Sequence, residues 1–353
     1  MEKVVIGVDQ GGSTIKVNAV DDGGVMLFDK ALQIESFAGK GNPRRTIGQM
    51  VKGIDLVLDT LHLSRNAVLA VGLDSPGPAD RDGVISTSGN MPGWEGFPVR
   101  RALHKRIEKP VFYTNDGNAG AFAEYMRRKE LVNELERQTL IGLFPGTGLG
   151  AGKVVNGVLI HGDNGAAMEA GHMFLPGSLF GEEEFIMCPC GKPHHAEAFI
   201  SLKAVDKQLR RELSRRENCG HPLNLVPDVG IARALLLRDY ADIGDELALK
   251  IFWKQAAALG LLCTSLACAD DPTIFVIGGG LADAKSEEFK AGYLERVRAS
   301  FNQWAMEKYK NKVRFEWAIG GDSANSYGVA LYALTEFQLG GGVKSSTEVA
   351  LAD

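Results

Sequence analysis

Cysteine is scarce in this chain: five in 353 residues, an odd number. So few thiols in so long a chain argue against a disulfide framework and fit reduced cysteines or metal ligands. No run of eighteen apolar residues occurs, so no membrane-spanning helix is expected. Met1-Glu-Lys leads straight into Val4-Val-Ile-Gly-Val8, without the pattern of a secretory signal. The sequence therefore reads as cytoplasmic. Positive charge is not in excess either. Thirty-nine Lys and Arg against 44 Asp and Glu give a net charge of −5, which leaves no basic footprint for nucleic acid.

What is present is ordinary globular composition, 45% hydrophobic and 24% charged, in a chain longer than one core serves. Two α/β domains are expected. Val4–Val8 and Ile15–Val20 read as a hairpin with glycines at its tip. Apolar residues at helical spacing predict a helix over 44–62. Strands are expected at 68–73 and 110–114, a helix at 119–129, and strands at 138–144 and near 153–160. The later chain predicts helices at 196–216, 229–239, 245–269, 288–308 and 324–337, with strands at 274–277 and 313–318. A hairpin with a glycine-rich tip thus occurs near residue 11 and again near residue 148. That repetition points to two related halves facing a cleft.

Glycine-rich turns expose backbone N–H groups and let a phosphate approach without a Cβ in the way. Asp9-Gln-Gly11-Gly12-Ser13-Thr14, Gly146-Thr147-Gly148 and Gly278-Gly279-Gly280 each follow a buried strand. Ser13, Thr14 and Thr147 add hydroxyl donors, and Asp9 suits a Mg²⁺ riding on phosphates. Each turn alone is more often a plain hairpin turn; three together raise the odds of a nucleotide. Gly146–Ala151 matches a dinucleotide fingerprint only in letters. The Asn156-Gly157 turn that follows makes a second hairpin where that fold needs a helix.

The segment 169–197 is denser in chemistry. Glu169-Ala-Gly-His172 precedes Cys188-Pro-Cys190-Gly, followed by His194, His195 and Glu197. Two thiols and two imidazoles suit a tetrahedral zinc, closed by four protein ligands and therefore structural. His172, Cys188, Cys190 and His195 are the expected ligands, with His194 the alternative to His195.

Asp9-Gln-Gly-Gly-Ser-Thr14, Asn90-Met-Pro-Gly-Trp94, Asn115-Asp-Gly-Asn-Ala119, Gly146-Thr-Gly-Leu-Gly150, Glu169-Ala-Gly-His172 and Cys188-Pro-Cys-Gly191 resemble, in this order, motifs of the ROK family of sugar kinases and repressors. That family belongs to the actin/hexokinase-like ATPase superfamily, and the likeness covers residues 3 to 335. It implies two actin/hexokinase-like (ribonuclease H-like) α/β domains flanking a central cleft. The small one would hold 1–116 and about 322–340. The large one would hold 117–321 with a zinc loop at 172–197, leaving 341–353 as a disordered tail. Three departures stand out. Ser13 replaces the usual Thr, His194-His195 replaces Gly-Cys, and fifteen residues separate His172 from Cys188.

The resemblance implies ATP-dependent phosphorylation of a hexose at its primary 6-hydroxyl, glucose first, with fructose, an N-acetylhexosamine or allose as alternatives. Asp116 would be the catalytic base, although taken alone an Asp there would more often cap the next helix. Gly77, Asn90, Asn115, Asp116, Glu169, His172 and Glu197 would meet the sugar. Asp9, Gly11, Gly12, Ser13, Thr14 and Lys16, with Gly146, Thr147, Gly148 and Gly278 to Gly280, would hold ATP. Mg²⁺ would accompany the nucleotide, and Zn²⁺ would be structural. The partners would be sugar and ATP, without nucleic acid or membrane, in a homodimer or homotetramer. Family repressors carry an N-terminal helix-turn-helix module, whereas here the first core strand starts at residue 4. A sugar-binding regulator is therefore the weaker reading.

Overall fold

A computed structural model describes residues 2–77, 79–86, 91–131, 138–180 and 186–340. The chain packs as two units: residues 1–136, 152–168 and 319–353, and residues 137–151 and 169–318. The tail expected at 341–353 lies outside the described residues.

In the first unit β1 (Val4–Gln10), β2 (Thr14–Asp21) and β3 (Leu32–Glu35) form an antiparallel meander. β4 (Val68–Ser75) then joins β1 in parallel, and β5 (Val111–Asn115) joins β4, giving the order β3-β2-β1-β4-β5. Alternation along β1 sends Val4, Ile6 and Val8 into one core with Met50 and Ile54 of α1 (Pro43–Thr60) and Leu103 of α2 (Val99–Ile107). The opposite face meets α3 (Asp116–Leu131) and α9 (Ala324–Gln338). There the backbones approach so closely that a Cβ on Gly7 would lie 1.8 Å from Ser326 O, and one on Gly72 2.0 Å from Val329 O. Gly328 of α9 is likewise seated on α3, where a Cβ would be 2.0 Å from Ala119 O.

In the second unit β6 (Thr139–Pro145) pairs in parallel with β9 (Ile274–Ile277), and β9 with β10 (Arg314–Trp317). β7 (Leu149–Val155) and β8 (Val158–Leu159) form the expected hairpin, although from Gly152 onward this stretch packs with the first unit. The sheet order β8-β7-β6-β9-β10 repeats β3-β2-β1-β4-β5. The duplication seen in the glycine turns is thus a duplication of topology. The helices are α4 (Glu197–Ile200), α5 (Leu202–Leu213), α6 (Ala232–Asp242), α7 (Glu246–Asp270) and α8 (Glu287–Trp304).

Two expected helix bounds are corrected, and the structure adds elements beyond those expected. The helix expected over 196–216 breaks at Ser201, whose extended backbone ends α4 and whose hydroxyl accepts from Ala204 N at 3.2 Å to start α5. α8 ends at Trp304, four residues early. The edge strand β3 and helix α2 were not expected, because each shows only a thin apolar stripe, Leu32 and Ile34 or Val99, Leu103 and Ile107. Finally, α7 is long and apolar enough by composition to cross a bilayer. Its apolar character has another use, since Leu259, Leu262, Cys263 and Leu266 are buried in the unit and Gln255 bonds to Ile200 O and Tyr293 Oη.

The packing of the first unit leads to three stability predictions. Gly328→Ala should destabilise by about 1–3 kcal/mol through overpacking. Gly48→Ala in α1, where nothing lies within 4 Å of the new methyl, should stabilise by about 0.5–1 kcal/mol. Chemical denaturation of both variants checks the pair. His161, against Tyr332 at 5.2 Å, has its pKa lowered from 6.5 to about 4 by burial and, secondarily, by Arg81. The unfolded chain therefore binds a proton between these values that the folded one refuses, so stability should fall as pH drops from about 6.5 to about 4. His161→Gln should flatten that slope in melts recorded across this range.

Candidate active site

In the first unit the chain leaves β1 at Asp9–Gln10 and turns through Gly11, Gly12 and Ser13 before β2. Gly11 N donates to Thr14 O at 2.9 Å, while Gly12 O and Ser13 O accept from Gly39 and Ser36, each at 2.9 Å. The turn is therefore held from outside, with the Ser13 side chain exposed at its tip. Lys16 stands opposite Asp9 in register and is engaged by the carbonyl and carboxylate of Asp322.

β4 brings Asp74 to the same register as Asp9 on β1 and Thr114 on β5. Asp74 is fully buried. Neither of its oxygens meets a donor in hydrogen-bond geometry, although the Asp9 carboxyl and the Gln10 backbone lie close. Two carboxylates side by side accept and cannot donate, so contact between them requires a proton or a cation. Burial first, then the charges of Asp9 and Asp116, push the Asp74 carboxyl well above the usual range. Burial also raises Asp9, against the opposing effects of Asp74 and Lys16.

β5 ends on Asn115, and α3 starts with Asp116. The Asn115 side chain accepts from Asn118 N at 2.7 Å, while Asp116 Oδ1 accepts from Gly117 N at 2.8 Å. The helix cap is therefore Asn115, and Asp116 is not needed for it. Gly77 lies in the turn after β4 with φ +92°. Asn90 lies outside the described residues. Trp94 is buried packing, its indole N–H donating to Ala38 O at 3.2 Å.

In the second unit β6 ends in the turn Gly146-Thr147-Gly148, closed by Gly146 N to Gly148 O at 2.9 Å, with Thr147 exposed. Glu197 reaches this turn: its Oε2 accepts from Leu149 N at 2.9 Å. A Cβ on Gly148 would lie 2.5 Å from that oxygen. Gly278 to Gly280 follow β9, packed against Phe144 and Pro145, and Arg238 donates to Gly280 O.

Four side chains converge nearby in this unit. The donor atoms of His172, Cys188, Cys190 and His195 all lie within 4.8 Å of one another. The Nδ1 atoms of His172 and His195 are 3.2 Å apart, His195 Nδ1 is 3.1 Å from Cys190 Sγ, and His172 Nδ1 is 3.8 Å from Cys188 Sγ. A tetrahedron with metal–nitrogen bonds near 2.0 Å and metal–sulfur bonds near 2.3 Å has edges of roughly 3.3–3.8 Å, so the set fits. His194 is turned elsewhere, stacked on Phe199 and edge-on to Phe174. Burial pushes the Cys188 thiol up to about 12, which a coordinated cation would reverse. Glu169 Oε2 is 3.8 Å from His172 Nε2, the ring nitrogen facing away from the cluster. Burial raises the Glu169 carboxyl, with His172 opposing and Glu197 adding.

A family profile described as ROK family matches residues 5–336. The chain belongs to the ROK family. Among relatives, a glucokinase of Halalkalibacterium halodurans is 29% identical, with 92% of each chain covered. A glucokinase of Thermotoga maritima is 30% identical over 79% of this chain and 83% of its own. The structure is similar to a ROK hexokinase from Thermus thermophilus, with TM-score 0.73, 26% identity, and 95% and 99% of the two chains covered. It is also similar to a ROK family glucokinase from Streptomyces griseus solved with glucose and AMPPNP, with TM-score 0.72, 25% identity, and 94% and 99% covered. The structural neighbours give the chain the actin/hexokinase-like α/β fold, and the repeated sheet order agrees with it.

Asp74 and Asp322 escaped the sequence reading. Asp74 carried a signal, a carboxylate closing an apolar strand just as Asp9 closes β1. Asp322 carried none, since it reaches Lys16 only through the fold.

Proposed function

We propose that this protein is an ATP-dependent hexose kinase acting on the primary hydroxyl, with glucose the first substrate. The supporting observation is that Asp116 stands where strand β5 gives way to helix α3, while the cap of that helix is made by its neighbour Asn115. The glucokinase relatives and the similarity to a ROK glucokinase solved with glucose and AMPPNP support the same reading.

Phosphoryl transfer needs positioning, charge neutralisation and a place for the hydroxyl proton. Asp116 accepts that proton, a role worth about 10²–10⁴-fold. Backbone amides of the turns at 11–13 and 146–148, with Ser13, Thr14 and Thr147, bind phosphate oxygens, and the 278–280 turn takes the nucleoside side. Lys16 exchanges its Asp322 partner for phosphate. Asp9 would hold a divalent cation, which neutralises nucleotide phosphate charge. Asn115, Glu169 and the outer nitrogen of His172 bind sugar hydroxyls, joined by Gly77, Asn90 and Glu197. A wrong epimer leaves such a group unpaired at about 1–3 kcal/mol. His172, Cys188, Cys190 and His195 would hold a zinc ion, which would stiffen the loop that carries His172 and Glu197. An N-acetylhexosamine is the alternative acceptor, since an N-acetyl-D-glucosamine kinase of Vibrio vulnificus is 29% identical over 60% of this chain.

A coupled ADP-release screen over a dozen monosaccharides should show turnover with one or a few hexoses. Asp116→Asn should lower kcat by about 10²–10⁴-fold while substrate binding persists; equal turnover by the variant would refute the assignment. Metal analysis should find about one zinc per chain. Cys188→Ser combined with Cys190→Ser should remove it, and chelation should lower the melting temperature. Native protein free of zinc would overturn the metal reading.

A further inference from the structure

The site motifs leave Asp74 unexplained. It is fully buried, both its carboxyl oxygens lack a donor, and it shares a register and sheet face with Asp9 on one side and Thr114 on the other. Thr114 Oγ1 is a further buried oxygen without a partner. The cation that faces Asp9, Lys16, is already engaged by Asp322, and the charge of Asp116 adds to the negative field on Asp74. Two neighbouring carboxyls on one sheet face, with the Gln10 backbone close and the Thr114 hydroxyl alongside, need a proton or a cation between them.

We propose that Asp74 and Asp9 together form a two-carboxylate site for a divalent cation such as Mg²⁺ or Mn²⁺. Hard oxygen donors suit these ions, which take one or two carboxylates and leave their remaining positions to water and phosphate. The glycine turn begins two residues after Asp9, so a phosphate held there lies beside the cation. Asp74 is then a metal ligand in its own right, supplied by β4 rather than by a glycine motif. The inference rests on the reading that this unit holds the phosphate tail of a nucleotide.

The test uses the zinc-loaded full chain with neither sugar nor nucleotide, titrated with Mn²⁺ and followed by the electron paramagnetic resonance of the free ion. Wild type should bind about one Mn²⁺, and both Asp74→Asn and Asp9→Asn should bind it about 10–100-fold more weakly. Mn²⁺ should raise the melting temperature of wild type and not that of Asp74→Asn. Should Asn not fold at this buried position, Asp74→Ser carries the same expectation. Wild-type affinity in the Asp74 variant, or no Mn²⁺ bound by wild type, overturns the site. Mn²⁺ bound as expected, with no ADP released on any hexose, supports the site and overturns the kinase reading. Turnover with Mn²⁺ binding unaltered in the variant does the reverse.

Discussion

The backbone of α9 lies directly on the first sheet, and most of the first unit's chemistry is placed by that contact. Gly7 on β1 and Gly72 on β4 are bare enough for the carbonyls of Ser326 and Val329 to sit where side chains would be. Two residues further along the same strands, on the same face, come Asp9 and Asp74. On its other side α9 seats Gly328 against Ala119, which fixes α3 and therefore Asp116 at its start. Three carboxylates are thus located by one helix packed at backbone distance, because close-packed interiors transmit position with little slack.

The second unit repeats the plan with different fittings. Its meander, followed by two parallel strands, copies the first sheet, and Thr147 stands exposed at its turn as Ser13 does at the other. Where the first unit places aspartates at strand ends, the second holds a cluster of two thiols and two imidazoles, with Glu197 reaching the turn. The same topology thereby carries paired aspartates at strand ends in one copy and a cysteine–histidine cluster in the other. Function resides in the grafted residues rather than in the fold.

Much of this was legible beforehand, for definite reasons. The long helices and buried strands announce themselves by period, and a cluster of His172, Cys188, Cys190 and one of the histidines at 194 and 195 was readable from residue type and spacing. The choice of His195 over His194 was not, since adjacent residues point in opposite directions only once the backbone is known. β3 and α2 stayed hidden because three or fewer apolar residues carry each. Asp116 and Asn115 could each have capped α3, and the choice between them is a matter of one hydrogen bond. Pairings distant in sequence, such as Lys16 with Asp322, leave no local trace.

Glu197 ties two motifs together that are 48 residues apart in the chain. Its carboxylate occupies the space beside Gly148 that any larger residue would need, and it takes the amide next to that glycine. Positions 148 and 197 are therefore not free to drift separately. A chimera that borrows the cysteine loop from another member must import the matching turn with it, or the borrowed carboxylate will arrive at an occupied place.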